Sequence, residues 1–332
     1  MGDADHTEGA VREDVRIGSP YDNESVAERL GGEAFTTELD GLVFDGFRVL
    51  ATEDSEAAPG GSPARTSAAG PASAERPVAV LVHGWPQFAA CWEDTARQLA
   101  ANGIDVIAYD QRGYSPGARP TDVADYALDR LLDDLDGLRR AWGLDRFHLV
   151  GHDWGGVLGW SYAAQHPEAL ATFTSVSTAH PVAHATRIAE DPEQHERMHY
   201  MRRIRTDPAG VEERMLADGG AKLAALYDGT FAEDRVQSYI DRFSQPGVLK
   251  AALAYYLAYG GARSEDGPVT IPTLYVWGSE DLAFTRGAAE LTGRYVEGDY
   301  RFVEIPGASH WLPEQEPEVV AGSVIDWIRE HP

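Results

Sequence analysis

The sequence predicts an α/β protein: a mostly parallel sheet flanked by helices, with a lobe made only of helices inserted into it. Three observations carry this reading. From Pro77 onward, short apolar runs alternate with amphipathic stretches of helical period. The alternation stops at Pro181, and residues 183–265 carry helical patterns alone. Two apolar runs and a closing helical stretch then resume it. Strands that are apolar along their whole length imply a sheet covered on both faces, which is the parallel α/β arrangement. At 332 residues the chain can bury a large core, so one domain with an inserted lobe is expected.

The elements follow in order. Residues 1–34 are polar and aperiodic, which predicts a mobile arm. The core opens at residue 35, where "FTTELDGLVFDGFRVLAT" alternates like a hairpin around Asp40-Gly41. Seventeen of the 22 residues 55–76 are Ala, Gly, Pro or Ser, so a flexible surface loop is expected there. "VAVLVHG", "DVIAYD", "FHLVGHD" and "ALATFTSVST" are strands. Helices over 89–102, 125–142 and 155–166 separate them, the second with Leu128, Leu131, Leu132, Leu135 and Leu138 on one face. This first part of the core runs over 35–182. The cap, 183–265, contains four helical stretches: "PEQHERMHYMRRIR", "GVEERMLADGGAKLAALYDG", "EDRVQSYIDRF" and "PGVLKAALAYYLAYG". The second part of the core, 266–332, holds the strands "PTLYVWG" and "YRFVEIPG" and the helix "PEVVAGSVIDWIREH".

Composition bounds the function. Asp and Glu number 54 against 28 Lys and Arg, and only Lys222 and Lys250 are lysines. A net charge of −26 argues against nucleic acid or an anionic membrane as partner. It fits either a GC-rich genome that uses Arg for Lys, or a halophile, in which concentrated salt screens the self-repulsion. No 18-residue apolar run offers a transmembrane helix, and the acidic N-terminus lacks the apolar core of a secretory signal. The single cysteine, Cys91, excludes an internal disulfide. A cytoplasmic protein is expected; a homodimer is left open.

"VGHDWGG", residues 150–156, carries the chemistry. An apolar strand enters it and a small-residue helix leaves it. Gly151 and Gly155 frame the strained strand-to-helix turn G-x-S-x-G, but its centre is Asp153. A serine must lose a proton to attack and suits carbonyl carbon. A carboxylate is already ionised at neutral pH, and the following helix N-terminus favours its charge. Attack on an ester would give only an anhydride. Displacement at saturated carbon gives an alkyl ester, which water must then hydrolyse with the help of a base. Asp is also a favoured helix N-cap, the plainer reading of this position.

With "HGWP" at 83–86, "GSED" at 278–281 and "GASHW" at 307–311, each at the end of a predicted strand, the chain over residues 35–332 resembles the α/β-hydrolases of the epoxide hydrolase and haloalkane dehalogenase branch. The resemblance implies the α/β-hydrolase fold with a helical cap, no cofactor and no metal. It implies Asp153 as nucleophile, with His310 activating water and Asp281 orienting His310. Glu280 is the neighbouring alternative; the family spacing after Gly278 favours Asp281. Backbone N–H groups of Trp85 and Trp154 would form the oxyanion hole. His83 and His152 flank the site and read as structural hydrogen-bonding residues.

The two branches differ at the leaving group. Epoxide hydrolases supply two cap tyrosines to protonate it; "LKAALAYYLA" is similar to the segment holding one, which places it at Tyr256, and "HYMRRIRTDP" to the other, which places it at Tyr200. Tyr255 and Leu257 depart from the usual Trp and Arg, and Tyr255 or Tyr259 is an alternative register. Dehalogenases receive a halide on Trp or Asn N–H groups, yet no tryptophan lies in 183–265 and the residue after Gly84 is Trp85. The resemblance therefore implies an epoxide hydrolase, taking a small hydrophobic epoxide and water to a vicinal diol. A dehalogenase with the same triad, and a non-catalytic ligand sensor, are the alternatives. "HERMH", 195–199, matches the zinc motif H-E-x-x-H but lies in a charged stretch without a third ligand; it reads as a solvated helix face.

Overall fold

Asp40 and Gly41 both take positive φ, 51° and 78°, closing a two-residue turn between β1 (Glu33–Leu39) and β2 (Leu42–Val49). The computed structural model describes residues 19–51, 76–227, 229–263 and 267–332. Among these, β3 (Val78–Val82), β4 (Asp105–Tyr109), β5 (Phe147–His152), β6 (Leu170–Val176), β7 (Thr273–Gly278) and β8 (Tyr300–Ile305) complete one sheet. Its order is β1-β2-β4-β3-β5-β6-β7-β8. β2 is antiparallel to β1 and β4, and the other pairs are parallel.

Alternation along each strand divides the core in two. Val80, Val82, Ile107, Tyr109 and Leu149 face one side, with the helices Leu128–Ala141 and Trp154–Gln165. Ala79, Leu81, Val106, Ala108 and Val150 face the other, with Glu93–Ala101 and Pro317–Glu330. The five leucines predicted on one face of Leu128–Ala141 are all buried, each stabilising the packing by about 1.5–3 kcal/mol. From β3 the chain crosses to β4 on one side, then returns to β5 on the other. The carboxyl ends of β3 and β5 thus border a crevice, the usual place for a ligand in such sheets.

Between β6 and β7 the chain is helical, as the pattern over 183–265 predicts, starting at Pro181 and reaching Ala258. Asp191-Pro192 and Asp207-Pro208 each start a helix: the Asp side chains accept the N–H groups of Glu193 and Gly210, and proline fits the first turn, where no backbone donor is needed. Two stretches read as continuous helices are broken. Met198 separates Pro192–Arg197 from His199–Thr206. Residues 217–220 leave helical geometry inside Pro208–Ala224, because Asp218-Gly219-Gly220 all adopt positive φ.

Part of the stretch expected as an arm over 1–34 is ordered into elements of the core. Asn23–Leu30 is a helix, capped by Asp22 and ended by left-handed Gly31, with Val26 and Ala27 buried. Eight residues are too few for its period to stand out in the sequence. Residues 1–18, and all but Arg76 of the loop 55–76, lie outside the described residues. No helix among the described residues is long and apolar enough to cross a membrane.

Candidate active site

β5 ends at His152, and the helix Trp154–Gln165 begins two residues later. Asp153 makes the whole turn, at φ 51° and ψ −115°, a conformation that costs a non-glycine residue roughly 1–3 kcal/mol. It makes no side-chain cap bond to its helix, so the N-cap reading does not explain it. The glycines are required by packing: a Cβ on Gly151 would meet the Gly155 carbonyl oxygen at 2.2 Å, and one on Gly155 the Val82 oxygen at 2.1 Å.

The carboxylate of Asp153 has two distinct oxygens. Oδ1 accepts the Trp85 backbone N–H at 2.7 Å. Oδ2 lies 3.5 Å from Nε2 of His310. The Trp154 N–H, at the first helical position, has no intrahelical acceptor. His310 follows β8, and its Nδ1 donates to Asp281, 2.9 Å from Oδ2 and 3.1 Å from Oδ1. Asp281 follows β7 and accepts the N–H groups of Ala283 (2.7 Å) and Phe284 (3.0 Å). Glu280, its sequence neighbour, is exposed. The three residues are brought together from three loops at the carboxyl edge of the sheet.

Electrostatics couple them. Burial would lower the His310 pKa, but Asp281 and then Asp153 outweigh it and hold the imidazole at about 10. His152, by contrast, is pushed down to about 3 by burial and by the neighbouring His310 charge. It is therefore neutral, and its Nε2–H donates to the His310 carbonyl (2.9 Å), fixing that loop. His83 is pushed down to about 4 by burial, despite Asp110. Its Nε2 accepts the Gln111 N–H and its Nδ1–H reaches the Gly84 carbonyl, both at 3.1 Å, which fixes the loop carrying Trp85.

A cavity of about 430 Å³ opens over this group, with Asp153, His310, Trp85, Trp311, Tyr256 and Tyr200 in its wall. Tyr256, on the helix Val248–Ala258, is buried, and its hydroxyl has no hydrogen-bond partner among the described residues. Burial raises its pKa, so it holds a proton at neutral pH. Its ring meets Trp154 edge-on at 5.0 Å and Tyr200 at 5.8 Å. Tyr200 is 38 % exposed. Tyr255 is turned away, its hydroxyl donating to the Arg112 carbonyl (2.7 Å), and Tyr259 packs edge-on to Trp154. The indole N–H groups of Trp154 and Trp311 also lack partners among the described residues. His195 and His199 of "HERMH" fall on separate helices either side of Met198, and His199 pairs with Glu196 at 3.0 Å. Sequence reading missed three cations in the cavity wall, Arg203, Arg214 and Lys222, for which no local motif exists.

Residues 77–317 match the alpha/beta hydrolase fold family. The AB hydrolase superfamily protein YfhM of Bacillus subtilis is 29 % identical over 261 residues, covering 76 % of this chain and 90 % of that protein. Epoxide hydrolase 4 of Mus musculus is 29 % identical over 268 residues, covering 77 % and 74 %. Among solved structures, an epoxide hydrolase from Bacillus megaterium in complex with an inhibitor superposes with a TM-score of 0.74 at 20 % identity, over 89 % of this chain and all of that one.

Proposed function

This chain belongs to the α/β-hydrolase fold family, and we propose that within it the enzyme is an epoxide hydrolase, converting an epoxide and water to a vicinal diol through an alkyl ester on Asp153. The observation that carries this reading is the asymmetric carboxylate. Oδ1 is already held by the Trp85 N–H, which leaves Oδ2, facing His310 across 3.5 Å, to attack. Relatives named epoxide hydrolase support it.

In the first step Oδ2 bonds to an epoxide carbon and the C–O bond breaks. The departing oxygen takes the proton of the Tyr256 hydroxyl, with Tyr200 beside it as the second donor. Tyr256 is left as a phenolate and regains its proton from the His310 imidazolium, directly or through water. That transfer leaves His310 neutral, and only then can it act as a base. In the second step His310 Nε2 takes a proton from water, and the hydroxide adds to the ester carbonyl. The oxyanion at Oδ1 is held by the N–H groups of Trp85 and Trp154. Collapse releases the diol oxygen, which takes the proton back from His310; the carboxylic acid left at Asp153 then gives its remaining water-derived proton to His310, restoring the carboxylate and the imidazolium. Atoms and charge close over the cycle.

His310→Gln tests the scheme. It should trap the ester, seen as one substrate mass added to the peptide holding Asp153. In a single turnover in heavy-oxygen water, the diol should carry enzyme oxygen; solvent oxygen there would mean direct attack by water. A second reading, a dehalogenase with the same triad, rests on the two unpartnered indole N–H groups of Trp154 and Trp311. Halide release from simple haloalkanes would favour it.

A further inference from the structure

The cavity has an outer half that the reaction does not use. Besides the tyrosines, its wall holds the apolar Ile204, Val211 and Met215 and the cations Arg203, Arg214 and Lys222. Ile204 and Val211 are buried, whereas Arg203 and Lys222 are exposed, so the cations stand at the solvent end. Arg214 precedes the break at Ala217–Gly220 and Lys222 follows it, and both line this one cavity.

The charge here opposes that of the molecule. Acidic residues outnumber basic ones 54 to 28 in the chain, and Lys222 is one of its two lysines. Yet among the described residues Asp153 is the only carboxylate in the wall. The side chains of Arg203 and Lys222 have no ion-pair or hydrogen-bond partner among the described residues. Arg214 is paired with Asp207 at 3.0 Å, but both are close to half exposed, and such a pair is worth little. Arg203 and Lys222 line the same cavity with no acid paired to either, and an anion bound there gains from both charges.

We propose that the outer half is a carboxylate subsite, and that the substrate is an amphiphilic anion: an epoxide on an apolar chain whose far end carries the charge. The reacting end of this substrate rests on the epoxide reading above; the charged end does not. Charge fixes the orientation at both ends. The cations hold the carboxylate at the mouth, and the Asp153 carboxylate repels it from the reacting centre.

The test compares two unreactive probes of equal chain length, decanoate and 1-decanol, binding to the full chain and to Arg203→Gln/Lys222→Gln. Binding is measured at the lowest salt in which each protein melts cooperatively, and again in molar salt. In the wild type at low salt, decanoate should bind at least about tenfold more tightly than decanol, the scale of one charge-assisted hydrogen bond. Molar salt should shrink the preference and the double substitution should abolish it. Both substituted residues are exposed, so the fold is not at risk. Equal affinities in the wild type, or a preference that survives the double substitution, overturn the subsite. Neither probe reacts, so the result is independent of turnover. A carboxylate preference in a protein that opens no epoxide keeps the subsite and sinks the epoxide reading; diol formation without the preference does the reverse.

Discussion

Asp153→Asn should lower the pKa of His310 from about 10 to roughly 7. The substitution removes one negative charge and keeps the shape, as esterification of Asp153 does. The carboxylate oxygen lies 3.5 Å from Nε2. At an effective dielectric of about 20, that ion pair is worth about 5 kcal/mol, and each 1.36 kcal/mol is about one pH unit of titration. A fall of roughly 3 follows, with some loss to screening because Asp153 is partly exposed. Asp281 remains in hydrogen-bonding distance at 2.9 Å, so the value should stay at or above that of an ordinary histidine. The assay is a side-chain NMR titration of labelled histidine from pH 5 to 11 in both proteins, with His310 assigned by its absence in His310→Gln. A His310 pKa that stays above about 9 in Asp153→Asn would refute the claim that the nucleophile's charge holds the base protonated. The same coupling predicts that single-turnover ester hydrolysis rises through an apparent pKa near 7, well below that of the resting imidazolium.

Four further outcomes are expected. Tyr256→Phe should slow ester formation by about 10²- to 10⁴-fold, the range of general acid catalysis, and leave ester hydrolysis nearly unchanged; rapid-quench measurement of both steps checks this. Tyr200→Phe should slow ester formation comparably or less in the same experiment. Acid should destabilise the fold steeply: His83, His148, His152, His180 and His184 are all pushed down to about 3 or 4, chiefly by burial. Below about pH 6.5 the unfolded chain takes up protons that the folded chain refuses, so stability is lost as pH falls from 6.5 toward 4, at up to about 1.4 kcal/mol per pH unit for each histidine. Unfolding free energies showing uptake of less than one proton near pH 5 would contradict this. If the net charge of −26 is an adaptation to salt, the melting temperature should climb steeply from low to molar potassium chloride; a flat profile favours the Arg-for-Lys explanation.

The fold was legible because its determinants are local. The buried leucines of Leu128–Ala141 repeat at helical spacing, Asp40-Gly41 supplies the two positive φ angles of a hairpin turn, and the strand interiors are apolar on both faces. The elbow was legible for the same reason: the glycines at 151 and 155 answer contacts within a few residues and with the neighbouring strand. The helix Asn23–Leu30 was missed because its buried stripe is only Val26 and Ala27, too little to distinguish from polar coil. The break at Met198 was missed because no glycine or proline marks it.

Residue types and their order are properties of the chain, so the sequence by itself determined a carboxylate at the elbow, a histidine after the last strand and a helical insertion between them. Proximity is a property of the fold, and the remaining choices turned on it. Glu280 and Asp281 are equivalent carboxylates until a turn exposes one and hands the other two backbone N–H groups and His310. Tyr255, Tyr256 and Tyr259 share one segment, and only the packing of that helix sends one hydroxyl to a core carbonyl and leaves another beside the nucleophile without a partner. The His310 pKa belongs to no residue alone, since it is set by carboxylates from positions 153 and 281 converging on one ring. Coulomb energy depends on distance in space and dielectric, neither of which is written in residue order.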